Sequence, residues 1–241
     1  RLRGKAGYVE EVMDIDLDRT AFLPVDIYGA GYTEADDVAG RTEEMARAER
    51  MGTVGRIKDA IDAARSIKLP IIYVNNSAPK IDLAHSTFVN QRNRSYDFDW
   101  VREMAEDNVD PKEYHYAKTS YVGISKMLAP RPDEYFIRKL YYSGFCDTWL
   151  DKLLRHLDVK TTIFVGYAAD ICLHCTMVDA LNANYEVIFL RDAVLAHPEM
   201  EPELFTVVPG VDTERMNLWH ELYCGYSTTT DDFTRACESV R

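Results

Sequence analysis

A cysteine, an aspartate and a lysine stand at positions from which they could act together on a carbonyl group. Cys172 follows the apolar run 161–166 and stands where a helix is expected to begin. A thiol at a helix N-terminus faces free backbone N–H groups and the positive end of the helix dipole, and both favour the nucleophilic thiolate. The same N–H groups could stabilise an oxyanion on an attacked carbonyl. Taken alone, however, Cys172 fits a small buried apolar residue better, as most free cysteines do.

Asp26 and Lys139 each close an apolar run of the sequence. Asp26 ends residues 20–26 (TAFLPVD) and Lys139 ends residues 134–139 (EYFIRK). An aspartate at such a position is usually a cap or a turn residue, and a lysine there is usually a solvated charge. The functional interpretation depends on the three residues converging, because a base, a cation and a thiol at adjacent strand ends have a joint purpose.

Short apolar strands that alternate with amphipathic helices would position these residues. Strands are predicted at residues 20–26, 71–75, 134–139, 161–166, 186–190 and 223–228. Helices are predicted within residues 37–68, at 148–157, at 172–184 and after Asp231, which is expected to cap the last one. This alternation predicts a three-layer α/β/α, Rossmann-like fold with a mostly parallel, six-stranded sheet.

The active site of such a sheet lies beyond the carboxyl ends of its strands. The residues expected to meet there are Asp26, Asn75, Asn76, Lys139 and the 166–172 turn. The 241 residues are interpreted as one domain, with an N-terminal extension over residues 1–18. Residues 78–133 are polar and irregular, and a segment of that length is expected to form a lid or a pocket wall.

Composition excludes several classes of partner. The net charge of -12 disfavours nucleic acid and anionic membranes, because an acidic surface repels both. No apolar run approaches the roughly 20 residues that span a bilayer, and the first residues lack the apolar region of a signal peptide. Five cysteines, an odd number, do not suggest a disulfide framework, so we expect reduced thiols and a cytoplasmic protein.

Two segments of the chain resemble the isochorismatase-like cysteine hydrolases. Residues 139–150 fit the pattern K-x-x-Y-S-x-F-x-x-T-x-L. Residues 166–180 are similar to G-x-A-T-D-x-C-x-x-x-T-x-x-D-A, with Ala169 in place of the threonine. The resemblance is strong over residues 134–195, weaker over 20–30 and 60–77, and absent from 78–133.

The resemblance implies a role for each residue of the triad. Cys172 would be the nucleophile, Asp26 the base that takes its proton, and Lys139 the cation that holds them in place. The Tyr167–Ala168 peptide matches a bond that is cis in many members of the family, and the N–H groups of Ala168 and Cys172 would form the oxyanion hole. The implied reaction is hydrolysis of a small amide or a ureido or carbamoyl compound through a thioester.

The resemblance also implies a homo-oligomer, a dimer or a tetramer, that needs no cofactor. Nicotinamidases of the family bind a metal through an Asp-x-His pair, whereas residues 75–78 here read NNSA, so we expect no such metal site. Near the expected pocket, six residues are candidates for contact with a small-molecule substrate. They are Tyr28, Tyr32, Asn76, Arg92, Tyr142 and Tyr167.

Three alternatives remain open at the level of sequence. The same fold could hydrolyse a vinyl ether, as isochorismatases do, or could serve as a non-catalytic binding protein. The Cys172-x-x-Cys175 pair could also indicate zinc or thiol redox chemistry, although the other cysteines supply no second ligand pair at a suitable spacing.

Overall fold

Six parallel strands form a single sheet in the computed structural model, which describes residues 10–27, 52–76, 86–87, 124–197 and 211–240. The strands are β1 (Thr20–Val25), β2 (Ile72–Asn76), β3 (Tyr135–Lys139), β4 (Thr161–Tyr167), β5 (Glu186–Leu195) and β6 (Tyr226–Thr228). They lie in the order β3-β2-β1-β4-β5-β6, and every pair is parallel. The predicted α/β class and the six-stranded Rossmann-like sheet are therefore confirmed.

Five helices of the described chain cover the two faces of the sheet. They are α1 (Thr53–Ser66), α2 (Leu150–His156), α3 (Cys172–Asn182), α4 (Thr213–Tyr223) and α5 (Thr230–Ser239). Apolar side chains of α1 and α5 belong to one core cluster, and those of α2 and α3 belong to a second. Two separate cores with the sheet between them are what a three-layer α/β/α arrangement requires.

The central strands are apolar on both faces. All residues of β1 and of β4 are buried, as expected for parallel strands covered by helices on each side. Along β1, Phe22 belongs to one core cluster and stacks on Phe233 of α5 at 5.7 Å between ring centroids. Leu23, the next residue, belongs to the other cluster, because successive side chains of a strand point to opposite faces.

Several details of the predicted elements were wrong. Strand β5 continues past the predicted residue 190 to Leu195, and Tyr223, predicted to begin the last strand, ends α4 instead. Helix α4 was not predicted, and the cap of α5 is not Asp231. Thr229 caps that helix, since its hydroxyl accepts a hydrogen bond from the backbone N–H of Asp232 at 3.1 Å. Asp231 stands instead in the first helical turn and pairs with Arg56 of α1 at 2.5 Å.

Parts of several expectations fall on residues outside the described ranges. The helix predicted within residues 37–68 corresponds to α1 over the part that the structure describes. The N-terminal extension and the 78–133 segment lie mostly outside those ranges, so the proposed domain anatomy stays a prediction. Within the described residues, no helix combines the length and the apolar character needed to cross a membrane.

Candidate active site

The carboxyl ends of four adjacent strands bring the candidate residues together. Asp26 directly follows β1 and adopts a φ of 46°, in the left-handed region that aspartate tolerates better than most residues. Its backbone N–H donates to the carbonyl oxygen of Val74 on β2 at 2.8 Å. Asn76 and Lys139 end β2 and β3 and stand opposite each other in the strand register.

Lys139 is the centre of a buried polar cluster. Its Nζ donates to Asp26 Oδ2 at 2.7 Å, to Asn76 Oδ1 at 2.7 Å and to the carbonyl oxygen of Tyr141 at 3.3 Å. Three acceptors match the three protons of an ammonium group. Burial alone would lower the pKa of Lys139, but the negative charge of Asp26 raises it above its usual value. Lys139 is therefore a cation at neutral pH.

Asp26 accepts hydrogen bonds on both of its carboxylate oxygens. Besides the ion pair with Lys139, the backbone N–H of Asn76 donates to Oδ1 at 2.9 Å and the Asn76 side-chain amide donates to Oδ2 at 3.4 Å. The side chains of Asp26 and Lys139 are 2% and 0% exposed, respectively. Such burial is tolerable for two opposite charges only because each has its hydrogen-bond partners.

Cys172 is the first residue of α3 and is 8% exposed. Burial raises the pKa of its thiol to about 12, the positive charge of Lys139 acts against this, and the Asp26 carboxylate adds to it. We expected the helix N-terminus to favour the thiolate, but the raised pKa means that the resting thiol is neutral. Loss of solvation outweighs the local field, and the sulfur rests as a neutral thiol beside a carboxylate that can accept its proton.

The hydroxyl of Thr176 fixes the first turn of α3 to the loop after β3. It donates to the carbonyl oxygen of Cys172 at 2.7 Å and accepts the backbone N–H of Gly144 at 3.0 Å. A Cβ on Gly144 would lie 2.6 Å from Cγ1 of Val74, so the loop approaches β2 too closely for any side chain. Thr176 thus sets the position of Cys172 relative to the segment that follows Lys139.

The turn from β4 into α3 contains the two backbone N–H groups that the resemblance assigns to the oxyanion hole. Gly166 has a φ of 114°, and a Cβ there would lie 2.1 Å from the carbonyl oxygen of Val25, so only glycine fits beside β1. The Tyr167–Ala168 peptide bond is cis. The N–H groups of Ala168 and Cys172 donate no backbone hydrogen bond to a described residue, whereas that of Ala169 is bonded to Leu195.

The remaining candidates for substrate contact occupy different surroundings. Tyr142 is half-buried and packs against the core cluster that includes Cys172, whereas Tyr167 is buried in the opposite cluster. Asn75, expected at this edge of the sheet but not among the candidates for substrate contact, is buried and has no hydrogen bond to the Lys139 cluster; among the described residues its Oδ1 has no partner. Tyr28, Tyr32 and Arg92 lie outside the described residues, so their role stays a prediction.

A second cluster of titratable groups lies between α3 and α4. Nδ1 of His174 lies 3.2 Å from Nε2 of His220, and the two rings stack at 5.3 Å between centroids. Burial, with a smaller contribution from the charge of His174, lowers the pKa of His220 to about 4. Among the described residues, no group of three or more His, Cys, Asp or Glu side chains is arranged to hold a metal ion, and all five cysteines are free thiols.

Comparison with known proteins finds similarity to hydrolases. A family model, the isochorismatase domain, matches residues 36–205, a span that includes Lys139 and Cys172 and begins after Asp26. The ureidoacrylate amidohydrolase RutB of Agrobacterium fabrum is 29% identical over 230 residues, which cover 92% of each chain. That of Rhizobium rhizogenes is 28% identical over 224 residues, 92% of this chain and 85% of the relative.

Solved structures share the fold at lower sequence identity. A cysteine hydrolase from Pseudomonas syringae pv. phaseolicola superposes with a TM-score of 0.66 at 23% identity, covering 94% of this chain and 96% of the other. N-carbamoylsarcosine amidase from Thermoplasma acidophilum gives a TM-score of 0.57 at 24% identity, covering 88% of this chain and 97% of that one. At these identities the two superpositions establish the common architecture.

Proposed function

Because this chain belongs to the isochorismatase family, we propose that it is an amidohydrolase that cleaves small amide, ureido or carbamoyl compounds through a thioester on Cys172. One observation carries the proposal: Lys139 Nζ bonds Asp26 at 2.7 Å within a buried cluster, and the charges of both residues act on the Cys172 thiol. The relatedness to ureidoacrylate amidohydrolases supports the carbon–nitrogen bond as the one cleaved.

The resting protonation of the site sets the first step. The Cys172 thiol gives its proton to the Asp26 carboxylate as the sulfur attacks the substrate carbonyl. Negative charge therefore develops on the sulfur only when the substrate is bound. Lys139 keeps Asp26 in place and its positive charge stabilises the developing thiolate. The N–H groups of Ala168 and Cys172 receive the oxyanion of the tetrahedral intermediate.

Collapse of that intermediate breaks the carbon–nitrogen bond. The protonated Asp26 returns its proton to the leaving nitrogen, and ammonia or an amine departs while the acyl group stays on sulfur. Water then attacks the thioester, Asp26 takes one proton from it, and the carbon–sulfur bond breaks. The sulfur leaves as the thiol with the proton that Asp26 holds, which restores the starting state.

The experiment is a panel of simple carboxamides and N-carbamoyl amino acids, with ammonia release as the readout. Wild type and Cys175→Ser are expected to turn over the same substrates, whereas Cys172→Ser loses at least about 1,000-fold in kcat/KM, the scale of removing a covalent nucleophile. Cys175 is the matched control because it lies one turn further along α3. Mass spectrometry of the quenched wild-type reaction should find the acyl adduct on the peptide that contains Cys172.

Two results would reject the proposal. Equal hydrolysis by the Cys172→Ser variant would remove the thiol from the mechanism. Loss of activity in Cys175→Ser, with a disulfide between the two cysteines in wild type, would favour the thiol redox interpretation of the C-x-x-C pair instead.

A further inference from the structure

Asn76 has contacts that differ from those expected of a residue that only binds substrate. It is the last residue of β2, which lies between β1 and β3 in the sheet, so its side chain stands between Asp26 and Lys139. Asn76 is 8% exposed and is therefore almost as buried as Asp26 and Lys139. The sequence alone suggested a substrate contact here, because the residue stands at a strand end beside the expected pocket.

The amide of Asn76 bonds both charged residues at once. Its Oδ1 accepts from Lys139 Nζ at 2.7 Å, and its Nδ2 donates to Asp26 Oδ2 at 3.4 Å. An ammonium group can only donate and a carboxylate can only accept, so these two partners determine which way the amide points. The backbone N–H of the same residue holds the second carboxylate oxygen at 2.9 Å.

From these contacts we propose that Asn76 is a positioning residue, which holds the Asp26 carboxylate and the Lys139 ammonium in the orientation that serves Cys172. This inference rests on the proposed function for its catalytic meaning. Asparagine suits the place because it supplies a donor and an acceptor without a charge of its own. An aspartate would put a second carboxylate against Asp26, and a leucine would leave Lys139 without one acceptor.

The test uses Asn76→Leu and Asn76→Asp, with Asn75→Leu as the matched control. Asn75 is the adjacent residue of the same type, is buried to 2% exposure and makes no hydrogen bond to the cluster. With the best substrate of the panel, both Asn76 variants should lose about 100-fold in kcat, as expected when reacting groups move by about 1 Å, with KM changed less than threefold. The control should retain kcat and KM.

A second readout requires no substrate. The rate at which iodoacetamide alkylates Cys172 is measured between pH 7 and 11 by peptide mass spectrometry. At pH 9 both Asn76 variants should react about tenfold more slowly than wild type, equivalent to one pKa unit, because Lys139 no longer stabilises the thiolate as well. The Asn75→Leu control should follow the wild-type profile.

Each outcome decides the inference. A rise in KM with kcat and the alkylation profile unchanged would make Asn76 a substrate contact and overturn the positioning role, as would no change in any readout. Thermal unfolding followed by circular dichroism shows whether each variant is folded at the assay temperature. If Asn76→Leu does not fold, Asn76→Asp tests the inference instead. If no substrate is hydrolysed by wild type but the alkylation profiles shift as expected, the proposed function fails while the positioning role stands.

Discussion

Lys139 Nζ lies 2.7 Å from Asp26 Oδ2, although 113 residues separate the two in the sequence. Both side chains are withdrawn from water, so the folded protein holds an ion pair in a place where neither charge would be stable alone. The register of β1, β2 and β3 makes this contact, because it brings their carboxyl ends to one edge of the sheet.

Replacing Lys139 by methionine should therefore destabilise the protein by about 3–5 kcal/mol, the usual cost of leaving a buried charge without its partner. Adding Asp26→Asn to the same chain removes the second charge and should recover part of that loss. Urea unfolding of the wild type, the two single variants and the double variant measures the coupling. Stabilities that are simply additive would mean that the two charges do not depend on each other.

The raised pKa of Cys172 predicts an unusual alkylation profile. Because the thiol titrates at about 12, its reaction with iodoacetamide should keep rising about tenfold per pH unit from pH 7 to pH 11. In the urea-denatured protein, the alkylation rate of the same cysteine should level off above about pH 9, because its pKa is then near that of a free thiol. Peptide-resolved mass spectrometry separates Cys172 from the other four cysteines. A plateau below pH 8 in the native protein would contradict the buried neutral thiol.

Thr176 should support activity through its hydroxyl rather than through its shape. Thr176→Val keeps the volume but leaves the buried backbone N–H of Gly144 without its acceptor, at a cost of about 1–3 kcal/mol, while the carbonyl oxygen of Cys172 loses only the hydroxyl. Thr176→Ser retains the hydroxyl and should stay within about 1.5 kcal/mol of wild type, since only a methyl group is lost. Urea unfolding and kcat should both rank the serine variant above the valine variant, and the reverse order would assign Thr176 to packing.

His220 should make the protein less stable in mild acid. Its pKa falls from 6.5 to about 4 on folding, so the unfolded chain binds the extra proton between those values and stability declines as pH falls through that window. From pH 7 to pH 5 the loss due to this residue should be about 2 kcal/mol. His220→Phe removes the titrating group, and its urea midpoint should change less over the same interval. An identical loss in the variant would assign the effect to other groups.

The sheet could be predicted from the sequence because its strands are short apolar runs that end in polar residues. Residues 21–25 and 163–166 contain no polar side chain, and they lie in the two central strands. Helix α4 was missed for the opposite reason. Its buried residues are Asn217 and His220, whereas Trp219, Leu222 and Tyr223 are exposed, so the apolar pattern does not follow the buried face.

The sequence indicated which residues of the candidate site lie together, but it did not indicate the protonation state of Cys172. Strand ends identify which side chains meet, and Asp26, Asn76 and Lys139 do lie together. The state of Cys172 depends on how completely distant segments cover it, which no local motif records. Helix α5 is capped by Thr229 and not by Asp231. Both residue types cap helices, so the sequence did not distinguish them, and the residue at which the backbone becomes helical determines the cap.

The pairing of β1 with β4 also constrains how the chain is made. Thr20 pairs in register with Thr161, 141 residues further along. At roughly 5–20 residues per second, the ribosome adds that length in about 7 to 28 s, during which one long edge of β1 has no strand beside it. No shorter nascent chain contains both Asp26 and Cys172, so the proposed site assembles only after most of the polypeptide has been synthesised.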